Sequence, residues 1–158
     1  MIADIEVMLA DAVKEVFNTM LNVDARKEPP GTAFANGEPH IASSVGFIGR
    51  ATGVVYLYST ASFARKMTRS LLRLEESEAA GDEMVNDAMG ELANMLVGHI
   101  KSRLCDRGIN CALTIPSIVR GSHFSIEPVS STERRVLTFR CNANQVAVEV
   151  LVKPTRSN

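Results

Sequence analysis

Two stretches of this 158-residue chain repeat one spacing of chemically capable side chains. Asp11, Glu15 and Asn18 stand in D-x-x-x-E-x-x-N, and Asp87, Glu91 and Asn94 stand in it again, 76 residues further on. An asparagine amide offers both an acceptor and donors, so it can orient a water without exchanging a proton with it. A carboxylate on the same helix face supplies a negative charge that can pair with a cation. At about 100° per residue, positions i, i+4 and i+7 fall on one side of a helix. Asp87, Glu91, Asn94, Gly98 and Lys101 therefore share a side, opposite Val85, Met89, Leu92, Leu96 and Ile100. The flanking residues match as well. Met8–Leu21 laid over Met84–Val97 gives five identities in fourteen positions, with Met, Asp, Ala, Glu and Asn kept. Packing can impose a repeat of apolar residues, but it gives no reason to repeat Asp, Glu and Asn on the wet side.

Other chemistries find less support. His40, His99 and His123 are isolated, with no H-E-x-x-H pattern. A zinc site from His99, Cys105 and Cys111 is geometrically conceivable, but no CxxC pair accompanies it. The three cysteines, Cys105, Cys111 and Cys141, are an odd number and read as reduced thiols of a cytosolic protein. No G-x-x-x-x-G-K-[ST], G-x-G-x-x-G or G-x-S-x-G is present. Arg65, Lys66, Arg69 and Arg73 form a basic stripe, but Glu75, Glu76 and Glu78 follow directly, and it reads as a solvated face. The seven methionines read as core filling, with Met84 and Met95 bordering the Glu91 side as an adaptable contact surface.

Composition narrows the class further. Seventeen Lys and Arg against eighteen Asp and Glu leave a net charge of −1, which removes the simplest case for a nucleic-acid binder. No apolar run approaches the roughly 18 residues of a membrane span. Met1-Ile2-Ala3-Asp4-Ile5-Glu6 is acidic and carries no readable secretory signal, so a cytoplasmic protein off the membrane is expected.

Several elements must position the repeated motif. Apolar spacing predicts a helix over 2–22, and turn-rich segments around Pro29-Pro30-Gly31 and Asn36-Gly37-Glu38-Pro39 follow it. Two β-rich runs, 40–48 and 54–58, flank a glycine-containing turn and read as a hairpin. Ser59, Thr60 and Ser62 offer N-caps for a helix to about Leu74, and a longer helix runs from about Gly81 to Arg107. Strand-like segments remain at 111–120, 134–141 and 145–152, the last two joined by Asn142-Ala143-Asn144. The expected class is α+β, a mainly antiparallel sheet covered by helices. One domain over 1–158, built of two pseudo-symmetric halves, accounts for the repeat.

Asp82-Glu83, then Gly90-Glu91-Leu92-Ala93-Asn94-Met95 with Val97-Gly98, resembles the CheC/CheX/FliY chemotaxis phosphatases, most closely the CheX branch. Pro116, about twenty residues after Asn94, fits the same pattern. So do the hairpin Gly46–Gly53 and the N-terminal Val16-Phe17-Asn18-Thr19-Met20-Leu21. The resemblance implies the CheC-like fold, a sheet carrying two long helices in pseudo-symmetric halves. It implies hydrolysis of the aspartyl phosphate of a CheY-like response regulator. Such a reaction needs a water held in line with the leaving oxygen and no covalent enzyme intermediate. Asn94 suits the water. A carboxylate beside a phosphoryl group is repelled, so Glu91 instead docks a cation of the receiver, a lysine in the family. Asp87 extends the acidic contact, while Gly90 and Gly98 lower the helix surface where a partner backbone could approach. No cofactor is expected in this chain; the Mg²⁺ of the reaction belongs to the receiver. The CheX branch also implies a homodimer that joins its sheets.

The alternative is a non-catalytic receiver-binding or flagellar-motor adaptor that keeps the fold, and a small-molecule-binding domain is a third class. The pair Glu91 and Asn94 favours the phosphatase, because an adaptor could lose either. Glu15 and Asn18 mark a second or vestigial site. Lys14 and Asn22 stand where the second copy has Gly90 and Gly98, and Pro29 and Pro30 come only about a dozen residues after Asn18. Both departures favour a vestigial face.

Overall fold

A computed structural model describes residues 1–34, 40–122 and 132–154. His123 and the expected turn at Asn36–Pro39 lie outside the described residues. Helix α1, Ile2–Leu21, buries Ile5, Leu9, Val13, Val16 and Phe17 along one stripe, and Asn22 ends it at φ 54. Strand β1 is only Arg26–Lys27. Strands β2, His40–Gly49, and β3, Gly53–Thr60, form the expected hairpin. Helix α2, Ala61–Leu72, starts where the Thr60 hydroxyl accepts from the Phe63 N–H at 3.2 Å, and it ends at Arg73 with φ 54. Helix α3, Asp82–Asp106, has Asp82 and Glu83 in its first turn, where negative charge suits the helix dipole.

Four strands complete the chain: β4, Cys111–Leu113; β5, Ser117–Gly121; β6, Glu133–Cys141; and β7, Asn144–Val152. Asn142 takes φ 58 in the two-residue turn between β6 and β7, a conformation asparagine tolerates. Every pairing is antiparallel, in the order β1-β6-β7-β3-β2-β4, with β5 also paired to β2.

That order carries the internal symmetry. One half is α1-β1-β2-β3 and the other α3-β4-β6-β7. Exchanging the halves reads the same strand order backwards, with β3 and β7 paired at the centre. Each half lends its short strand to the other half's hairpin, β1 to β6 and β4 to β2. Helix α2 and strand β5 are additions outside the repeat. The core lies between the helices and alternate strand residues, among them Ile41, Val45, Phe47, Val55, Leu57, Phe139, Val148 and Val150. The fold is thus α+β, an antiparallel sheet under helices, as expected. Among the described residues, no helix is long and apolar enough to cross a membrane.

Candidate functional site

Helix α3 presents its two sides as its periodicity requires. Val85, Met89, Leu92, Leu96 and Ile100 are buried against the sheet and its neighbouring helices. On the outer side Asp87, Glu91 and Lys101 are exposed, and Asn94 and Gly98 are half-buried. Asp87, Glu91 and Asn94 make no side-chain hydrogen bond or ion pair with any described residue. They form a polar row that the fold leaves open.

The matching residues of α1 are used differently. Asp11 Oδ2 accepts from the Arg103 guanidinium at 2.8 Å, and Glu15 Oε2 lies 3.5 Å from His99 Nδ1. Asp4 and Arg107 continue the series at 3.5 Å. The partners step down α3 as the sequence steps up α1, so the helices run antiparallel. The two carboxylates of the first copy, Asp11 and Glu15, therefore both make interhelix contacts. By the spacing of this ladder, α1 ends at Leu21 before it comes alongside Asp87. Asn18 stays exposed. The two copies share a pattern but not a setting.

The opposite flank of α3 is built by the sheet edge. Leu113 pairs with Phe47, and the Thr114 N–H reaches the Gly46 carbonyl at 2.9 Å, whereas Ser117 pairs with Ser44. Ile115 and Pro116 thus both stand opposite Val45, which is a β-bulge, a common device beside functional sites. The single run expected over 111–120 is split there into β4 and β5. Proline, lacking an N–H, is tolerated in a strand at such a break. A Cβ placed on Gly90 would lie 3.1 Å from Pro116 Cβ, so the proline occupies the space beside this buried glycine. Gly90 makes room for the chain's own Pro116, whereas a Cβ on Gly98 would meet nothing within 4 Å. Of these two glycines, Gly98 is the one with open space outside the helix.

Arg120 of β5 fixes the first turn of α3. Its guanidinium donates to Asn86 Oδ1 at 2.8 Å and to the Asp82 carbonyl at 3.0 Å, with Asp82 Oδ1 3.5 Å away. Sequence reasoning missed Arg120. A strand residue 34 positions from its partner leaves no local pattern to read.

Clefts of about 590, 330 and 380 Å³ lie on the basic side of α2, between α1 and the end of α3, and beside Pro29-Pro30. None of these three is lined by Asp87, Glu91 or Asn94. Burial pushes the Cys141 thiol up to about 11, and burial together with Glu149 raises Tyr58, whose hydroxyl lies 3.1 Å from that carboxylate. The site on α3 is a surface row, suited to a macromolecular partner more than to an enclosed small molecule.

The family model described as chemotaxis phosphatase CheX matches residues 41–140, which include Glu91, Asn94 and Pro116 but not α1. CheY-P phosphatase CheX of Thermotoga maritima is 26% identical over 121 residues, covering 75% of this chain and 77% of that protein. The crystal structure of chemotaxis protein CheX from Vibrio vulnificus superposes with a TM-score of 0.78 at 19% identity, covering 94% of this chain and 95% of that one. The CheX–CheY–BeF₃–Mg²⁺ complex from Borrelia burgdorferi matches with a TM-score of 0.78 at 21% identity, over 93% and 96% of the two chains. The family match spans the second long helix, its proline and most of the sheet, and the structural likeness extends over nearly the whole chain. This protein belongs to the CheX family of CheC-like chemotaxis phosphatases.

Proposed function

We propose that this chain hydrolyses the aspartyl phosphate of a CheY-type receiver, working from the outer face of α3. The observation that carries the reading is the contrast between the two copies of the motif. Asp11 and Glu15 are occupied by Arg103 and His99, while Asp87, Glu91 and Asn94 are open to a partner. The relative from Thermotoga maritima is named a CheY-P phosphatase, and the relative from Borrelia burgdorferi is seen with CheY, BeF₃ and Mg²⁺. Both support the receiver as substrate.

The chemistry then divides between the two proteins. The receiver brings the acyl phosphate and the Mg²⁺. Asn94 accepts from the attacking water and donates elsewhere through its amide, holding the water in line with the leaving oxygen. Glu91 pairs with a receiver cation and fixes the orientation of the two surfaces. Asp87 adds negative charge on the same face. Gly98 lets receiver backbone come close to the helix. Glu15 and Asn18 belong to a vestigial copy whose carboxylates serve the α1–α3 contact. The protein acts in the cytoplasm as a homodimer joined through sheet edges.

The test is phosphate release from purified, phosphorylated CheY-type receivers of the source organism, with and without this protein. Catalytic acceleration at substoichiometric concentration supports the phosphatase. Binding without acceleration supports the receiver-binding adaptor instead.

A further inference from the structure

Ile115 is 85% exposed, the highest value among the large apolar side chains of the described residues. Scattered exposed apolar residues are ordinary. The way this one is held is not. In the register of β4, where Leu113 lies opposite Phe47, the helix-facing place opposite Val45 falls to Ile115. In the register of β5, where Ser117 lies opposite Ser44, the same place falls to Pro116. The bulge gives it to the proline, which sits over Gly90, and leaves the isoleucine outside.

Both neighbours of Ile115 are clamped. The Thr114 N–H donates to the Gly46 carbonyl at 2.9 Å, and the Gly46 N–H donates back to Thr114 Oγ1 at 2.8 Å. Pro116 has a fixed φ and rests on α3. The backbone carrying Ile115 is therefore ordered before any partner arrives, which removes much of the entropic cost of using it as a contact. Through Pro116 it is tied to Gly90, the residue before Glu91.

We propose that Ile115 is an apolar anchor for the receiver that Glu91 and Asn94 engage, entering a recess on the receiver surface beside the phosphorylated position. The bulge then has two products, a proline that braces α3 and an isoleucine that sets affinity and partner choice. The identity of the partner rests on the function proposed above; the anchor itself rests on the bulge. Ile115 touches neither the phosphate nor the water, so its contribution is uniform binding, felt in KM and not in kcat.

The experiment measures affinity and turnover separately. Wild type, Ile115→Ser and Ile115→Val are titrated against a CheY-type receiver of the source organism, loaded with beryllofluoride and Mg²⁺, and phosphate release is followed on the phosphorylated receiver. Ile115→Ser is expected to weaken binding about tenfold and to raise KM by the same factor, with kcat and the thermal midpoint unchanged. Ile115→Val is expected to stay within about twofold of wild type. Equal affinity of Ile115→Ser and wild type overturns the anchor. If wild type binds the receiver without speeding phosphate loss, the phosphatase reading fails, and the same affinity ratio still decides the anchor. If wild type binds no receiver, both readings fall.

Discussion

Glu91 and Asn94 lie three residues apart, yet their proposed contributions are separable. Glu91 supplies charge to a contact made before and during the reaction. Glu91→Ala is expected to raise KM by about tenfold or more, the usual scale for losing a hydrogen bond to a charged group. Glu91→Gln should recover little of this, because it keeps the shape and loses the charge. Neither substitution should change stability by more than about 0.5 kcal/mol, since Glu91 is exposed. Steady-state kinetics beside a thermal melt check both statements. Gly98 gives a second test at the same scale. A Cβ there meets nothing, so Gly98→Ala should stabilise α3 by about 0.5–1 kcal/mol through helix propensity alone. The same methyl would stand under an approaching receiver and raise KM. A stabilised variant with unchanged KM would remove Gly98 from the contact surface.

At the scale of elements, α1 and α3 show how one pattern can serve two ends. The Asp11–Arg103 and Glu15–His99 contacts are partly exposed, and such pairs contribute only about 0–1 kcal/mol each. Their larger consequence is to engage the carboxylates that the second copy leaves open. Asn94→Ala and Asn18→Ala/Asn94→Ala are therefore expected to have the same residual rate of phosphate release. A rate in the single variant that disappears in the double would establish a working site on α1. Much of this scaffold was legible beforehand. The helix expected over 2–22 is Ile2–Leu21, and the one expected from about Gly81 to Arg107 is Asp82–Asp106, because apolar residues recur at helical spacing along each, in α3 as Val85, Met89, Leu92, Leu96 and Ile100. What was not legible depends on partners distant in sequence. Strand β1 is two residues without a pattern of its own, paired to the edge of β6. The proline in 111–120 signals a break, but which residue the bulge turns outward depends on the register against β2. The interhelix contacts depend on how α1 and α3 lie against each other, which no single helix encodes.

For the whole molecule, the symmetric strand order leaves unequal edges. Strand β1 and the following Glu28 cover β6 only from Thr138 to Arg140, and no described residue is strand-paired with the outer side of Glu133–Leu137. An open edge of this kind tends to pair with another chain. Light scattering at micromolar concentration should return twice the 17.1 kDa chain mass, and a monomer mass would remove the dimer. The central claim lies on α3 and calls for single-turnover phosphate loss from a phosphorylated CheY-type receiver, measured with saturating wild type and with saturating Asn94→Ala. Wild type is expected to accelerate the loss. Asn94→Ala is expected to return it to the receiver's own rate while binding stays within about twofold of wild type, because water positioning acts in the transition state. Acceleration by Asn94→Ala equal to that by wild type would contradict the account.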